Sequence, residues 1–120
     1  MAATSSDGGY WLIGADGGVF AFGDAPFRGS ATGAFAERAV GIAAAPNGNG
    51  YWVVASNGDV RAFGDATDHG NAVNSGLLAP IVGIAATPTG GGYWLATADG
   101  DVLPFGDAET FAFGAPFLGR

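Results

Sequence analysis

Cysteine is absent from this chain. That excludes disulfides, thiol nucleophiles and thiolate metal sites. It leaves the compartment open, since an exported protein can do without disulfides. Histidine occurs once, as His69, so a His-based zinc site or a Ser-His-Asp triad would have to be built on that residue. No Gly-x-Ser-x-Gly elbow accompanies it, and no phosphate-cradling glycine loop leads into a helix. A calcium loop of the EF-hand kind needs acids at alternating positions and a bidentate Glu, and nothing in the chain fits. Charge is scarce as well: charged residues make up 12 % of the chain, about half the usual share. Four basic residues against 11 acidic ones give a net charge of −7, which argues against nucleic acid or an anionic membrane surface as partner. No stretch approaches the ~20 apolar residues of a membrane span, so no membrane insertion is expected. Met1-Ala2-Ala3-Thr4 lacks the basic and apolar regions of a signal peptide. These absences lead to the expectation of a protein that is not an enzyme and takes no metal or cofactor.

What the chain has in excess is glycine, 23 of 120 residues, where roughly 7 % is usual. The apolar share of 48 % is too high for a disordered segment, and the glycines recur at fixed places. They punctuate one phrase written three times, at 9–25, 50–66 and 92–108. Each copy opens on Gly-Tyr-Trp and closes on Phe-Gly-Asp-Ala. All tyrosines and tryptophans lie in it, as Tyr10-Trp11, Tyr51-Trp52 and Tyr93-Trp94. The closing blocks bring Phe22 with Asp24, Phe63 with Asp65 and Phe105 with Asp107. Copies start 41 and 42 residues apart, a period that signals a repeat architecture.

Each phrase predicts a β-hairpin. Tyr10–Ala15 and Val19–Phe22 are aromatic and branched, with Asp16-Gly17 between them; the later copies carry Asn57-Gly58 and Asp99-Gly100 there. Such dipeptides between apolar runs favour a two-residue type I′ turn. That turn sets Ile13 opposite Phe20 and Trp11 opposite Phe22. Trp11, Ile13, Phe20 and Phe22 then share one face, Tyr10, Leu12, Val19 and Ala21 the other, and Arg61 falls on the tryptophan face of the second copy. Both faces are apolar, so each sheet needs cover on both sides. A further strand is predicted before each later phrase, at 40–46 and 82–88. A weaker fourth strand is predicted after each phrase, around 27–30, 69–72 and 110–113. Pro104 falls in a third strand, at a non-hydrogen-bonded pair with Leu95, and its missing N–H is expected to weaken pairing with the fourth strand there.

The expected fold is therefore all-β, a β-propeller of four-stranded blades with three repeats in one unit spanning 1–120. Alanine and glycine dominate the first strand of each blade, which would be innermost, where room is least. Met1–Thr4 aligns with Ile42–Ala45, and Ala115–Gly119 resembles Ala79–Gly83. The innermost strand of one blade is thus expected to be split between 115–120 and 1–4; a second register of the tail stays open, in which Phe111–Phe117 echoes Phe20–Phe27 with one deletion. Three blades are too few for a familiar ring, so the ring would be completed by oligomerisation, as a homodimer of six blades or a homotrimer of nine.

The unit Val82-Gly83-Ile84-Ala85-Ala86-Thr87-Pro88, Gly92-Tyr93-Trp94-Leu95 and Phe105-Gly106-Asp107-Ala108 resembles the Gly-Tyr-Trp/Phe-Gly-Asp repeats of exported actinobacterial envelope proteins. More distantly it is similar to the NHL-type propeller blade. A chain of three units also resembles excised or engineered propeller fragments. The envelope resemblance implies an extracellular or cell-envelope setting and a binding or scaffold role, with no catalytic residues. In that family a Phe-Tyr-Gly-Ser block follows Phe-Gly-Asp-Ala. Phe27-Arg28-Gly29-Ser30 keeps it in part, whereas Asp68-His69-Gly70-Asn71 and Thr110-Phe111-Ala112-Phe113 depart from it.

The candidate ligand-binding residues are the hairpin-tip groups Asp16, Asn57, Asp59, Asp99 and Asp101, which would gather on one rim and could meet a cation or a basic partner. Turn formation alone is a sufficient reason for them. Asp24, Asp65 and Asp107 are expected to cap the turn into the outer strand. The Tyr-Trp pairs could stack on sugars, but residues that bury such area belong first in a core. His69 takes the place of Arg28 and is expected at the surface. The expected function is a non-enzymatic, self-assembling binding or scaffold module, with glycan or envelope partners as the ligand class. The alternative is a structural or engineered propeller fragment whose only activity is ring assembly.

Overall fold

The computed structural model of the chain describes residues 2–4, 8–33, 35, 37–46, 49–73 and 79–108. Among these residues the protein is all-β and forms no helix. Nine strands make three antiparallel sheets of three. Sheet 1 holds β1 (Ala2–Ala3), β2 (Gly9–Ile13) and β3 (Val19–Gly23). Sheet 2 holds β4 (Ala39–Ala44), β5 (Gly50–Ala55) and β6 (Val60–Gly64). Sheet 3 holds β7 (Ile81–Ala86), β8 (Gly92–Thr97) and β9 (Val102–Gly106). In each, the strands lie in chain order. The middle strands are runs of aromatic and branched residues, which fit a pleated surface buried on both sides.

The hairpin inside each phrase differs from the expected two-residue turn by one residue. Gly14 donates its N–H to the Gly18 carbonyl at 2.8 Å, and Gly17 donates to Gly14 at 3.0 Å. Ala15-Asp16-Gly17 is therefore a three-residue loop, a type I turn closed by a left-handed glycine. The same bonds recur at Ala55–Asp59 and Thr97–Asp101, and Gly17, Gly58 and Gly100 have φ of 91°, 91° and 95°. A type I turn asks for left-handed backbone at the glycine only, whereas type I′ would ask it of the Asp or Asn too.

The slip turns every side chain of the third strand to the other face. Tyr10 stands opposite Phe22, Trp11 opposite Ala21 and Leu12 opposite Phe20. Trp11 thus shares a face with Ile13, Val19 and Ala21, while Tyr10 shares one with Leu12, Phe20 and Phe22. Arg61 pairs with Val53, which puts it on the Tyr51 face and not on the Trp52 face. Pro104 pairs with Trp94 and not with Leu95. Counting from the Thr97 N–H bonded to Asp101, that pair is non-hydrogen-bonded, so the proline nitrogen points away from β8 and leaves the ladder whole.

Segments 27–30 and 69–72 carry no strand; the segment predicted around 110–113 lies outside the described residues. Each of the first two segments is held at single points instead. Trp11 Nε1 donates to the Pro26 carbonyl at 2.9 Å and Trp52 Nε1 to Thr67 at 2.8 Å. Ala31 and Ala72 donate their N–H groups to Gly17 and Gly58, both at 2.9 Å. Bonds at the two ends hold the segment beside its sheet without a ladder.

The sheets stack face to face. The tryptophan face of sheet 1 (Trp11, Val19) packs on the tyrosine face of sheet 2 (Tyr51, Val53). The tryptophan face of sheet 2 (Trp52, Val54, Val60) packs on the tyrosine face of sheet 3 (Tyr93, Leu95). Trp11 meets Tyr51 at 5.2 Å between centroids and 54°, Trp52 meets Tyr93 at 5.5 Å and 57°. Truncating a buried tryptophan such as Trp52 to alanine would cost about 3–5 kcal/mol. The first strands run close together, because a Cβ at Gly41 would lie 3.3 Å from Ile84 Cγ2 and 3.5 Å from Gly83 Cα. Backbone bonds join the sheets as well: Ala39 donates to the Ala15 carbonyl at 2.9 Å and Ile81 to Ser56 at 2.8 Å. In sheet 1, Ala2 pairs with Trp11 and Ala3 with Tyr10, the register that Ala43 and Ala44 hold in sheet 2.

The glycine of the hairpin loop offers a direct check. A Cβ at Gly17 would sit 2.5 Å from the Ala31 carbonyl oxygen on a backbone of φ 91°. Gly33 also has positive φ, 74°, but open space around it. Gly17→Ala should lose about 2–3 kcal/mol and Gly33→Ala about 1 kcal/mol, read as two unequal drops in melting temperature. Equal drops would show that the close approach of Ala31 is not what constrains the loop.

Candidate functional site

The side chains of Asp16, Asn57 and Asp99 bond within their own loops. Asp16 Oδ1 accepts the Gly18 N–H at 2.9 Å, and Asn57 Oδ1 accepts the Asp59 N–H at 3.1 Å. In sheet 3 the Thr97 hydroxyl bonds Asp99 Oδ1, and Thr97 Oγ1 accepts the Asp101 N–H at 2.9 Å. Asp59 pairs with Arg61 at 3.0 Å, an exposed ion pair of a kind that contributes little, ~0–1 kcal/mol. Arg61 also lies over the Phe35 ring, 5.6 Å from its centroid. Among the described residues no three His, Asp or Glu side chains form a group that could hold a metal ion.

The Asp24 and Asp107 side chains reach backward, toward the turn between the first and second strands, and not to an outer-strand cap. Thr4 Oγ1 donates to Asp24 Oδ1 at 3.0 Å, and Thr87 Oγ1 donates to Asp107 Oδ1 at 2.9 Å. Thr89 donates to the second Asp107 oxygen. These hydroxyl bonds, that of Thr89 first and Thr87 next, hold the Asp107 carboxyl below the ordinary value of 3.8. The main chain closes the same contact, with Asp24, Asp65 and Asp107 donating N–H to Gly8, Asn49 and Gly91. The matching position in sheet 2 is Ala45, which has no hydroxyl to give.

The tyrosines tie one sheet to the segment trailing the sheet before it. The Tyr51 hydroxyl accepts the Arg28 N–H at 2.8 Å and donates to the Gly29 carbonyl at 2.6 Å. The Tyr93 hydroxyl accepts the His69 N–H at 3.1 Å and donates to the Gly70 carbonyl. Both phenol rings are fully buried. Burial raises the Tyr51 hydroxyl above the ordinary 10.0 against the hydrogen bond donated by the Arg28 N–H, and it pushes Tyr93 up to about 12. The phenylalanine of each closing block backs its tyrosine across the hairpin, at 5.6 Å for both Tyr51–Phe63 and Tyr93–Phe105. Its ring also lies against the glycine: a Cβ on Gly29, at φ 130°, would be 2.7 Å from Phe63 Cδ1. Sequence reasoning missed this clamp. Its signal was there, a glycine five residues after the aspartate at both Gly29 and Gly70.

His69 is half-buried rather than a surface side chain. Its ring lies 6.3 Å from that of Trp52 and 5.7 Å from that of Tyr93, and its Nε2 faces the Gly90 carbonyl at 3.2 Å. That bond needs the proton on Nε2. The residue fills the seam between sheets 2 and 3, so packing explains it. A shallow cleft of about 400 Å³ opens between the segment trailing sheet 1 and β6, with Ser30, Arg61, Phe63 and Asp68 on its walls.

The outer faces of the stack are the least covered apolar surfaces. On sheet 1, Tyr10 is 39 % exposed, Phe22 42 % and Phe20 55 %, whereas Tyr51 and Tyr93 at the matching place are 0 % exposed. Tyr10 lies flat on Phe22, with centroids 5.0 Å apart and planes at 18°. On sheet 3, Trp94 is half-buried where Trp11 and Trp52 are buried. Compared with known proteins, the chain matches no family model and no curated sequence.

The clamp sets an alkaline limit on stability. The folded protein holds the Tyr93 proton more tightly than the unfolded chain does, so its contribution is complete below pH 10.0 and is lost as pH rises through about 12. Tyr93→Phe should lower stability at pH 7 by about 1–3 kcal/mol, because the His69 N–H and Gly70 carbonyl lose their partner. It should also flatten the decline between pH 10 and 12 in denaturant melts. An unchanged alkaline slope would rule the hydroxyl out as its source.

Proposed function

We propose that this protein is a non-enzymatic scaffold unit, three blades of a β-propeller whose stack is completed by further copies of the chain. The observation that carries this is the Tyr10 face. Tyr10 is 39 % exposed at the place where Tyr51 and Tyr93 are fully buried under the preceding sheet, and Phe20 and Phe22 lie exposed beside it. Large apolar residues grouped on one face mark an interaction surface. The trailing segments 25–31 and 66–72 take the part of the outer edge of each blade, pinned at their ends by the tryptophan and alanine bonds. The resemblance to envelope repeats supports a scaffold rather than a catalyst. The acids at the hairpin tips are turn formers in this reading.

A second reading, binding of a glycan, is favoured by the cleft beside Phe63. It combines an aromatic ring with Arg61, Asp68 and Ser30, the mixture of apolar wall and few polar groups that small-ligand sites use.

Native mass spectrometry or sedimentation tests the first reading. The folded protein should sediment as two or three copies of the 11.8 kDa chain. A folded particle of one chain mass at all concentrations would overturn it. A glycan array probed with the same particle tests the cleft, and Phe63→Ala should abolish any signal that arises there.

A further inference from the structure

The two open ends of the stack differ, and the difference says which surfaces meet. Within the chain a tryptophan face always covers a tyrosine face. The two joints repeat almost the same geometry, 5.2 Å and 54° against 5.5 Å and 57°. Sheet 1 leaves its tyrosine face open and sheet 3 its tryptophan face. Resting on the self-association proposed above, we infer that the Tyr10 face of one copy seats the Trp94 face of sheet 3 of a second copy, head to tail.

Three observations at the far end support this occupant. Gly41 on the first strand of sheet 2 is closely approached by Gly83 and Ile84 of sheet 3, whereas a Cβ at Gly83, the matching place in sheet 3, would meet nothing within 4 Å. Val82 is 53 % exposed while its counterpart Val40 is half-buried and packs on the core. Ala98 occupies the hairpin position of Ala15 and Ser56, whose carbonyls accept the first-strand N–H groups of the following sheet. Each is a socket that the next sheet fills elsewhere in the same molecule. Among the described residues neither open face carries a charge: one presents Tyr10, Leu12, Phe20 and Phe22, the other Ala85, Trp94, Ala96, Val102 and Pro104. A face-to-face dimer through two Tyr10 faces would match tyrosine with tyrosine and leave both tryptophan faces open. A head-to-tail contact is heterologous, so repeating it either closes a ring or extends a chain.

The test uses one charge at each end, at residues already exposed in the single chain: Phe20→Asp for the tyrosine face and Val82→Asp for the tryptophan face. Circular dichroism melts confirm folding, and Phe22→Ser replaces Phe20→Asp if that variant unfolds. Each variant alone should associate ~100-fold more weakly than the parent, since a buried unpaired charge is expensive. Mixed in equal amounts, the two should form a two-chain particle, because one intact face of each remains and the two are complementary. Association lost in Phe20→Asp but kept in Val82→Asp would establish a symmetric tyrosine-face dimer and overturn the inference while sparing self-association. Association kept in both variants would place the contact elsewhere and overturn it too. A parent protein that is folded and monomeric removes both the inference and the reading beneath it.

Discussion

The structure depends on the joint where a tyrosine ring lies on a tryptophan of the preceding sheet and its hydroxyl grips the segment trailing that sheet. A three-stranded sheet with strands of five or six residues has little stability of its own. Here both faces are apolar, so an isolated sheet would expose as much as it buried. The joint answers this twice over, through the area of the two rings and through a hydroxyl that satisfies one N–H and one carbonyl of an otherwise ladderless segment. Burying that hydroxyl without such partners would be unfavourable by several kcal/mol. The segment in turn needs glycine, since the phenylalanine behind the tyrosine fills the space a Cβ would take.

A stack of this kind is close to one-dimensional, with each sheet answering mainly to its neighbours. Sheet 2 has both neighbours, and every residue of β5 is buried. It is also the sheet that lacks the threonine beneath its aspartate, having Ala45 where Thr4 and Thr87 stand. The hydroxyl bonds of Thr4 and of Thr87 belong to the sheets at the ends.

The repeat, the strands of each phrase and the need for cover on both faces were legible in the residues, because hydrophobic runs and Asp-Gly or Asn-Gly dipeptides report local structure. The register was not. Two-residue and three-residue loops both accept Asp-Gly, and they differ in whether the residue before the glycine must also go left-handed. What decides is non-local: the three-residue loop sets Val19 beside Trp11 and turns Phe22 onto Tyr10. The outer strand failed for a related reason. Tyr51 and Tyr93 take the N–H and carbonyl groups at 28–29 and 69–70 that a ladder would use. His69 was read as a surface group because its repeat partner is an arginine, while the ring fits between Trp52 and Tyr93.

The clamp also bears on how strong a joint between copies would be. Counted from Phe-Gly-Asp-Ala, glycine stands at 29 and 70 and alanine at 112. Gly29 and Gly70 have φ of 130° and 116°, values that an alanine meets only with strain of order 1–2 kcal/mol. A joint between copies that did without the glycine clamp would rest less on Tyr10 than the internal joints rest on Tyr51 and Tyr93. Its strength would then come from apolar area, Phe20 and Phe22 on one side and Trp94 and Val82 on the other. The internal joints are also held by the covalent chain, which keeps neighbouring sheets at high effective concentration. A joint between copies has neither advantage, so it would be the first to open on dilution, and the sheets within a copy would stay stacked after the copies part.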